Sequence, residues 1–141
     1  MNVFRSYRRK LPHYRVGSGT YFVTWRVAPS TSVLTASERA IVATSLKYFD
    51  GDRYDLLAYV VMDDHVHVIV RPREGLALEK IVHSWKSFSA HQINGARSRS
   101  GPFWLREYMD RVIRDDSELE TKISYVLNNP AKRWPSIKDY M

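Results

Sequence analysis

The residues whose types and spacing carry chemistry fall in two places: His65-Val66-His67, and Tyr125 with Asn129 near the end of the chain. On a strand, alternate side chains share a face, so His65 and His67 point one way while Val66, Val68 and Val70 point the other. The valines can serve a core, and the imidazoles then stand side by side where they can hold one metal ion. Paired histidines also occur on ordinary exposed strands. What distinguishes this pair is that it opens a strand otherwise almost wholly Val and Ile. A separation of four residues puts Tyr125 and Asn129 about 40° apart on one helix face. The apolar stripe of that helix is Leu119, Ile123, Val126 and Leu127, and Tyr125 and Asn129 lie well off it, beside Lys122. A tyrosine there is either a plain surface residue or a placed one.

The two constellations make chemical sense together. A phenol with a pKa of about 10 is a weak nucleophile until it loses its proton. A metal beside a phosphate polarises the P–O bond and helps a nearby phenol to ionise. His65 and His67 would be two neutral ligands, and the Asn129 amide oxygen could be a third. Neutral donors leave the cation's charge uncompensated. Ligand softness alone does not single out the metal.

Positioning these groups requires a particular set of elements. Thr20–Val27 is β-branched and aromatic and reads as a strand. Thr35-Ala36-Ser37-Glu38 has the form of a capping box, followed by Ile41, Val42, Leu46 and Phe49 at helical spacing. Tyr54–Met62 and His65–Arg71 read as a hairpin around Asp63-Asp64. Leu78, Ile81, Val82, Trp85, Phe88 and Gln92 define a second amphipathic helix over residues 76–94. A fourth strand is expected over 107–113. A last helix over 115–130 is capped by Asp115 with Glu118, and Pro130 is expected to end it. The order matches an α+β, ferredoxin-like split βαβ pattern with one helix added. Two helices would cover one face of an antiparallel sheet, leaving the added helix for part of the other.

At 141 residues, with 44% apolar content, the chain is expected to form a single domain over 1–141 with a packed core. Absence of cysteine excludes disulfides and thiolate metal sites and fits a reducing cytoplasm. No apolar run approaches the roughly 18 residues of a membrane span. The basic first ten residues lack the apolar run of a signal peptide. Lys and Arg outnumber Asp and Glu by 22 to 15, which favours a polyanionic partner. Arg5, Arg8, Arg9 and Lys10 crowd a basic N-terminal segment (1–19), and Arg97 and Arg99 sit in a Ser/Gly-rich loop. Phe4, Tyr7, Tyr14, Phe103 and Trp104 lie near these clusters. Basic side chains beside stacking platforms suit single strands. Lys86 on the second helix can reach either DNA or the active site. His13, His83 and His91 read as surface residues.

His65-Val66-His67 resembles the HUH motif of single-strand endonucleases. Phe103-Trp104, Tyr108–Asp115 and Tyr125-Val126-Leu127-Asn128-Asn129-Pro130-Ala131-Lys132 resemble the signature of REP-associated tyrosine transposases, single-tyrosine relatives of the IS200/IS605 class. Arg9–His13, Tyr21–Thr24 and Ser84–Phe88 are similar to it too, so the likeness spans nearly the whole chain.

The resemblance implies a ferredoxin-like fold with a catalytic helix, a Mg²⁺ or Mn²⁺ ion and a covalent 5′-phosphotyrosine intermediate. Its implied substrate is hairpin-forming single-stranded DNA of palindromic repeats. It makes Tyr125 the nucleophile and His65 and His67 metal ligands, with Asn129 where many relatives carry glutamine. Arg5, Arg8, Arg9, Lys10, Lys86, Arg97, Arg99 and Lys132 are the candidate DNA contacts. Asp63-Asp64 stands where relatives often show Pro-Asn or Pro-Glu; its negative charge beside the site either strengthens cation binding or belongs to a solvated turn, and the second is preferred. The family's usual glycine after Asn-Pro is replaced around Arg133-Trp134. The chief alternative is a domesticated relative that binds structured single strands without cutting. A hydrolase using water ranks last, because the ligand set offers no obvious general base. The last helix can pack on its own sheet or on a partner's, so monomer and homodimer both stay open.

Overall fold

The computed structural model describes residues 4–6, 19–29 and 31–133, with side chains described for 19–29 and 31–129. Its elements are β1 (Phe4–Ser6), β2 (Tyr21–Arg26), α1 (Ala36–Tyr48), β3 (Tyr54–Val61), β4 (His65–Pro72), α2 (Leu78–Arg97), β5 (Met109–Val112) and α3 (Asp116–Arg133). The strands form one sheet in the order β1-β3-β4-β2-β5, every neighbouring pair antiparallel. The run β3-β4-β2-β5 is the interleaved ferredoxin-like order, and β1 extends it along the outer edge of β3. That short strand was not foreseen within the basic segment. Three residues, Phe-Arg-Ser, are too few to show alternation.

The sheet is covered on both faces. Val23, Trp25, Val66, Val68 and Val70 face α1 and α2, meeting Val42, Leu46, Val82 and Trp85 in the larger core. Val60, Met62, Ile69 and Leu57 face α3 and pack against Ile113, Leu119, Ile123 and Val126. An irregularity between Leu56 and Ala58 turns both Leu57 and Ala58 to the α3 side. The valines of β4 fix its register. Each is fully buried, worth roughly 1.5–3 kcal/mol. A slip by one residue would exchange them for His65 and His67.

Side-chain hydrogen bonds tie the helical layer together. Thr35 caps α1 in a full capping box with Glu38. The Trp85 indole donates to the Tyr54 hydroxyl at 2.8 Å, which donates to the Leu46 carbonyl at 2.6 Å. Trp104 donates to Ser89 Oγ at 3.0 Å, and Ser89 to the Trp85 carbonyl at 2.7 Å. Phe88, expected on the buried stripe, is exposed, and Ser89 and Ile93 take the inward positions. A serine fits there because its hydroxyl is satisfied on both sides.

Two further differences concern α3 and β5. Asp115 caps α3, accepting from Glu118 N at 2.8 Å, but the helix runs past Pro130 to Arg133. Proline lacks one donor to the Val126 carbonyl, and here the loss falls within the last turn, where it does not stop the helix. β5 is shorter than the expected 107–113 and exposed along its length.

Candidate active site

The imidazoles stand on the α3 face of the sheet. Antiparallel register sets Thr24 of β2 opposite His67 and Arg26 opposite His65, with Phe22 two pairs further along opposite Ile69. Opposed residues share a face. Alternation along β2 therefore delivers Phe22, Thr24 and Arg26 to the histidines, while Val23 and Trp25 go to the opposite core. His65 and His67 lie with ring centroids 4.7 Å apart and are 9% and 6% exposed. Phe22 stacks on His67 at 5.3 Å with planes 20° apart.

α3 brings Tyr125 to the same place. Its ring meets His67 edge-on at 5.4 Å and Phe22 at 6.1 Å. Tyr125 is 42% exposed, so it borders the site from the solvent side, as its position off the apolar stripe implies. Asn129, one turn on and expected off the apolar stripe, is instead buried at 9%, and its amide nitrogen donates to the Tyr125 carbonyl at 3.0 Å. The amide oxygen is thus the end of that side chain not used in this bond. Lys122, one turn before Tyr125, places its ammonium 5.1 Å from the Phe22 ring centroid and 6.0 Å from that of Tyr125.

Each imidazole is held by Nδ1. His65 Nδ1 donates to Asp64 Oδ1 at 2.7 Å, and His67 Nδ1 lies 2.8 Å from Thr24 Oγ1. The turn carrying Asp64 is fixed: Val27 N donates to the Asp64 carbonyl at 3.0 Å, and Leu34 N to that of Asp63 at 2.7 Å. Asp63-Asp64 is therefore a half-exposed turn whose backbone is anchored. Burial, reinforced by His65, Arg26 and Lys122, pushes the His67 pKa from 6.5 down to about 3. His67 is neutral at physiological pH, the form that offers a lone pair to a metal.

Two neighbouring imidazoles, one of them held neutral, are donors of the kind a divalent cation takes. Among the described residues no group of three or more His, Cys, Asp or Glu side chains is placed to hold a metal. Two imidazoles would have to be completed by another kind of donor, and the Asn129 amide oxygen is the candidate the sequence offered. Sequence reasoning gave no role to Thr24, Phe22 or Arg26, and left Asp64 between aiding cation binding and a solvated turn. The signal that finds the first three is the same alternation that pairs the histidines, read across to β2.

The other candidates are placed differently. Lys86 donates to the Leu105 and Arg106 carbonyls at 2.7 and 3.0 Å, and burial lowers its pKa. Arg97 grips Glu38 through two bonds of 2.7 Å and also reaches the Ser32 and Val33 carbonyls. Arg99 donates to Asn94 Oδ1 at 2.8 Å. Arg5 and Lys132 are placed by backbone alone, in β1 and the last turn of α3. Arg8, Arg9 and Lys10 lie outside the described residues. His83 and His91 are exposed on α2.

The sequence profile of the family described as "Transposase IS200 like" matches residues 16–129. The chain belongs to the IS200-like transposase family. The structure is similar to that of a REP-associated tyrosine transposase bound to a REP hairpin, with TM-score 0.71 and 21% identity over 96% of this chain and 78% of that one. It is also similar to a protein of Deinococcus radiodurans R1 assigned as a transposase, with TM-score 0.53 and 19% identity over 77% of this chain and 88% of that one. At these identities the likeness establishes the shared fold. Among curated proteins none matches the sequence. No helix among the described residues is long and apolar enough to cross a membrane.

Proposed function

We propose that this IS200-like transposase nicks and rejoins hairpin-forming single-stranded DNA through a covalent bond to Tyr125. The observation that carries the reading is the meeting of Tyr125 with His67 at 5.4 Å, on the sheet face where His65 stands beside it. Family membership supplies the substrate class, and the hairpin bound by the similar REP-associated enzyme supports a palindromic repeat as the DNA. The protein would work in the cytoplasm, where its DNA lies.

The chemistry follows from the placed groups. The Tyr125 phenol gives up its proton, and its oxygen forms a bond to the scissile phosphorus. The bond from phosphorus to the 3′-oxygen of the upstream nucleotide breaks, and that oxygen takes up a proton to become a free 3′-OH. A 5′-phosphotyrosine remains. Attack by a 3′-OH on this linkage reverses the step and rejoins DNA. Mg²⁺ or Mn²⁺ held by His65, His67 and Asn129 would supply Lewis acidity at the phosphate when bound. Lys122 and Arg26 add positive charge on the same side, where a phosphate develops negative charge. Arg5, Arg8, Arg9, Lys10 and Lys132 are basic residues suited to follow the DNA backbone; Lys86, Arg97 and Arg99 bond within the chain.

Incubating the protein with a labelled repeat hairpin and Mn²⁺ should give a species that survives denaturing electrophoresis. Tyr125→Phe should bind the hairpin normally and give none. An adduct of unchanged yield in that variant rules Tyr125 out. Hairpin cleavage that persists without an adduct would point to water as the nucleophile.

A further inference from the structure

We propose that Asp64 and Thr24 are positioning residues, each fixing one imidazole through Nδ1 so that both rings present an unprotonated Nε2 to the site. The inference rests on the reading of His65 and His67 as metal ligands. The anchors come from different parts of the fold: Asp64 from the turn that opens β4, Thr24 from the middle of β2.

A neutral imidazole carries one proton, and the nitrogen that bears it cannot ligate. A partner at Nδ1 that accepts a hydrogen bond keeps the proton there and frees Nε2. Asp64 does this without ambiguity, since a carboxylate accepts only, and it sits 2.7 Å from His65 Nδ1. The Asp64 backbone is itself tied to Val27, so the carboxylate does not have to be recruited at binding. Thr24 is less one-sided, because a hydroxyl donates as well as accepts. That the hydroxyl accepts from Nδ1 is part of the proposal, and its place in the strand supplies the aim. A β-branched side chain inside a strand hydrogen-bonded on both sides has little χ1 freedom, so its oxygen stays aimed at His67. Phe22, stacked on the other part of the ring, resists rotation of the imidazole out of that bond. The two rings are thus fixed differently, one by a partner that only accepts and one by shape.

The first test needs neither DNA nor metal. In ¹⁵N-histidine spectra of the full chain at pH 7.5, both rings should show protonated Nδ1 and bare Nε2. Thr24→Val, which keeps the shape and removes the hydroxyl, should shift His67 toward the other tautomer. Thr24→Ser should restore it. Asp64→Ala should do the same to His65, while Asp64→Asn, which retains an accepting oxygen, should leave the tautomer in place.

The second test is Mn²⁺ affinity by titration calorimetry. Thr24→Val and Asp64→Ala should each weaken binding by about 10–100-fold, with Thr24→Ser near wild type. Wild-type tautomers in Thr24→Val and Asp64→Ala overturn the proposal, and so does wild-type Mn²⁺ affinity. Asp64→Asn losing as much affinity as Asp64→Ala overturns it for Asp64, since charge rather than the hydrogen bond would then be at work. A wild-type protein with the expected tautomers that binds no Mn²⁺ overturns the ligand reading instead.

Discussion

Tyr125 and His67 meet edge to face within one chain, ring centroids 5.4 Å apart, with α3 folded onto the sheet that carries the histidine. Within the chain, a helical phenol lies against strand-borne imidazoles, the relationship the sequence asked for. Phe22 completes the contact, touching both rings.

That sandwich gives the first prediction. Phe22→Leu keeps an apolar side chain but removes the flat surface on which His67 rests. Volume-similar apolar changes generally cost under about 1.5 kcal/mol, so the fold should survive. Misplacing a reacting geometry by an ångström costs far more in rate, so adduct formation should fall by about ten- to a hundredfold. Single-turnover kinetics alongside a thermal melt separate the two effects. A rate unchanged in a stable variant would deny Phe22 any part in aiming the ring.

Lys122 gives the second. A unit charge about 6 Å from a phenolate or phosphate, at a half-buried site, contributes about 1 kcal/mol, or roughly fivefold in rate. Lys122→Met should slow adduct formation by about that factor, and Lys122→Arg should recover most of it. If the ammonium touches a phosphate, the salt dependence of hairpin binding should also lose about one unit of slope. Equal rates for the Met and wild-type proteins would leave Lys122 as surface charge alone.

What could be read from the sequence divides along physical lines. Alternation on β4 and helical phase on α3 are local, so the histidine pair and the outward placing of Tyr125 were legible. Periodicity fixes an angle around a helix, not depth along a sheet, so the burial of Asn129 was not. The same limit hid Thr24, which meets His67 only through a register set 43 residues apart in the chain. The basic loop was misleading for a related reason. A run of sequence displays the charge of Arg97 but not Glu38, its partner 59 residues earlier.

The Glu38–Arg97 pair gives the third prediction. Hydrogen bonding to Arg97 outweighs burial and holds the Glu38 carboxyl below 4.5. A carboxylate whose folded pKa is depressed stabilises the fold above its unfolded value, and that stability is lost as pH falls through the folded pKa. Arg97→Met leaves Glu38 largely buried without its cation and should cost about 3 kcal/mol at pH 7. The deficit should shrink below about pH 4.5, as Glu38 becomes protonated in the folded variant and the pair weakens in the wild type. His67 titrates in the same region in both proteins and so cancels in the difference. Urea denaturation at pH 7 and at pH 3.5 checks it. A deficit that stays constant between the two would mean the pair contributes through packing alone. At a temperature where the variant is folded, hairpin affinity should change little, because this guanidinium is already occupied.

Metal removal gives the fourth. Two imidazoles and an amide bring no negative charge to the cation, so binding lacks the Coulombic attraction that carboxylate ligands provide. The fold, in contrast, has its imidazoles placed by Asp64, Thr24 and Phe22 before any ion arrives. A preformed, weakly binding site predicts two things together. EDTA should abolish adduct formation quickly, with full recovery on adding Mn²⁺ or Mg²⁺. The melting temperature should hardly move, because stabilisation by a ligand grows only as the logarithm of its concentration over its dissociation constant. Hairpin binding should persist in EDTA, since phosphate contacts by basic residues need no ion. If chelation instead unfolds the protein, the metal is structural and the sheet does not hold the imidazoles in place by itself. If cutting continues in thorough chelation, the site acts without a metal and the phosphate must be polarised by Lys122 and Arg26 alone.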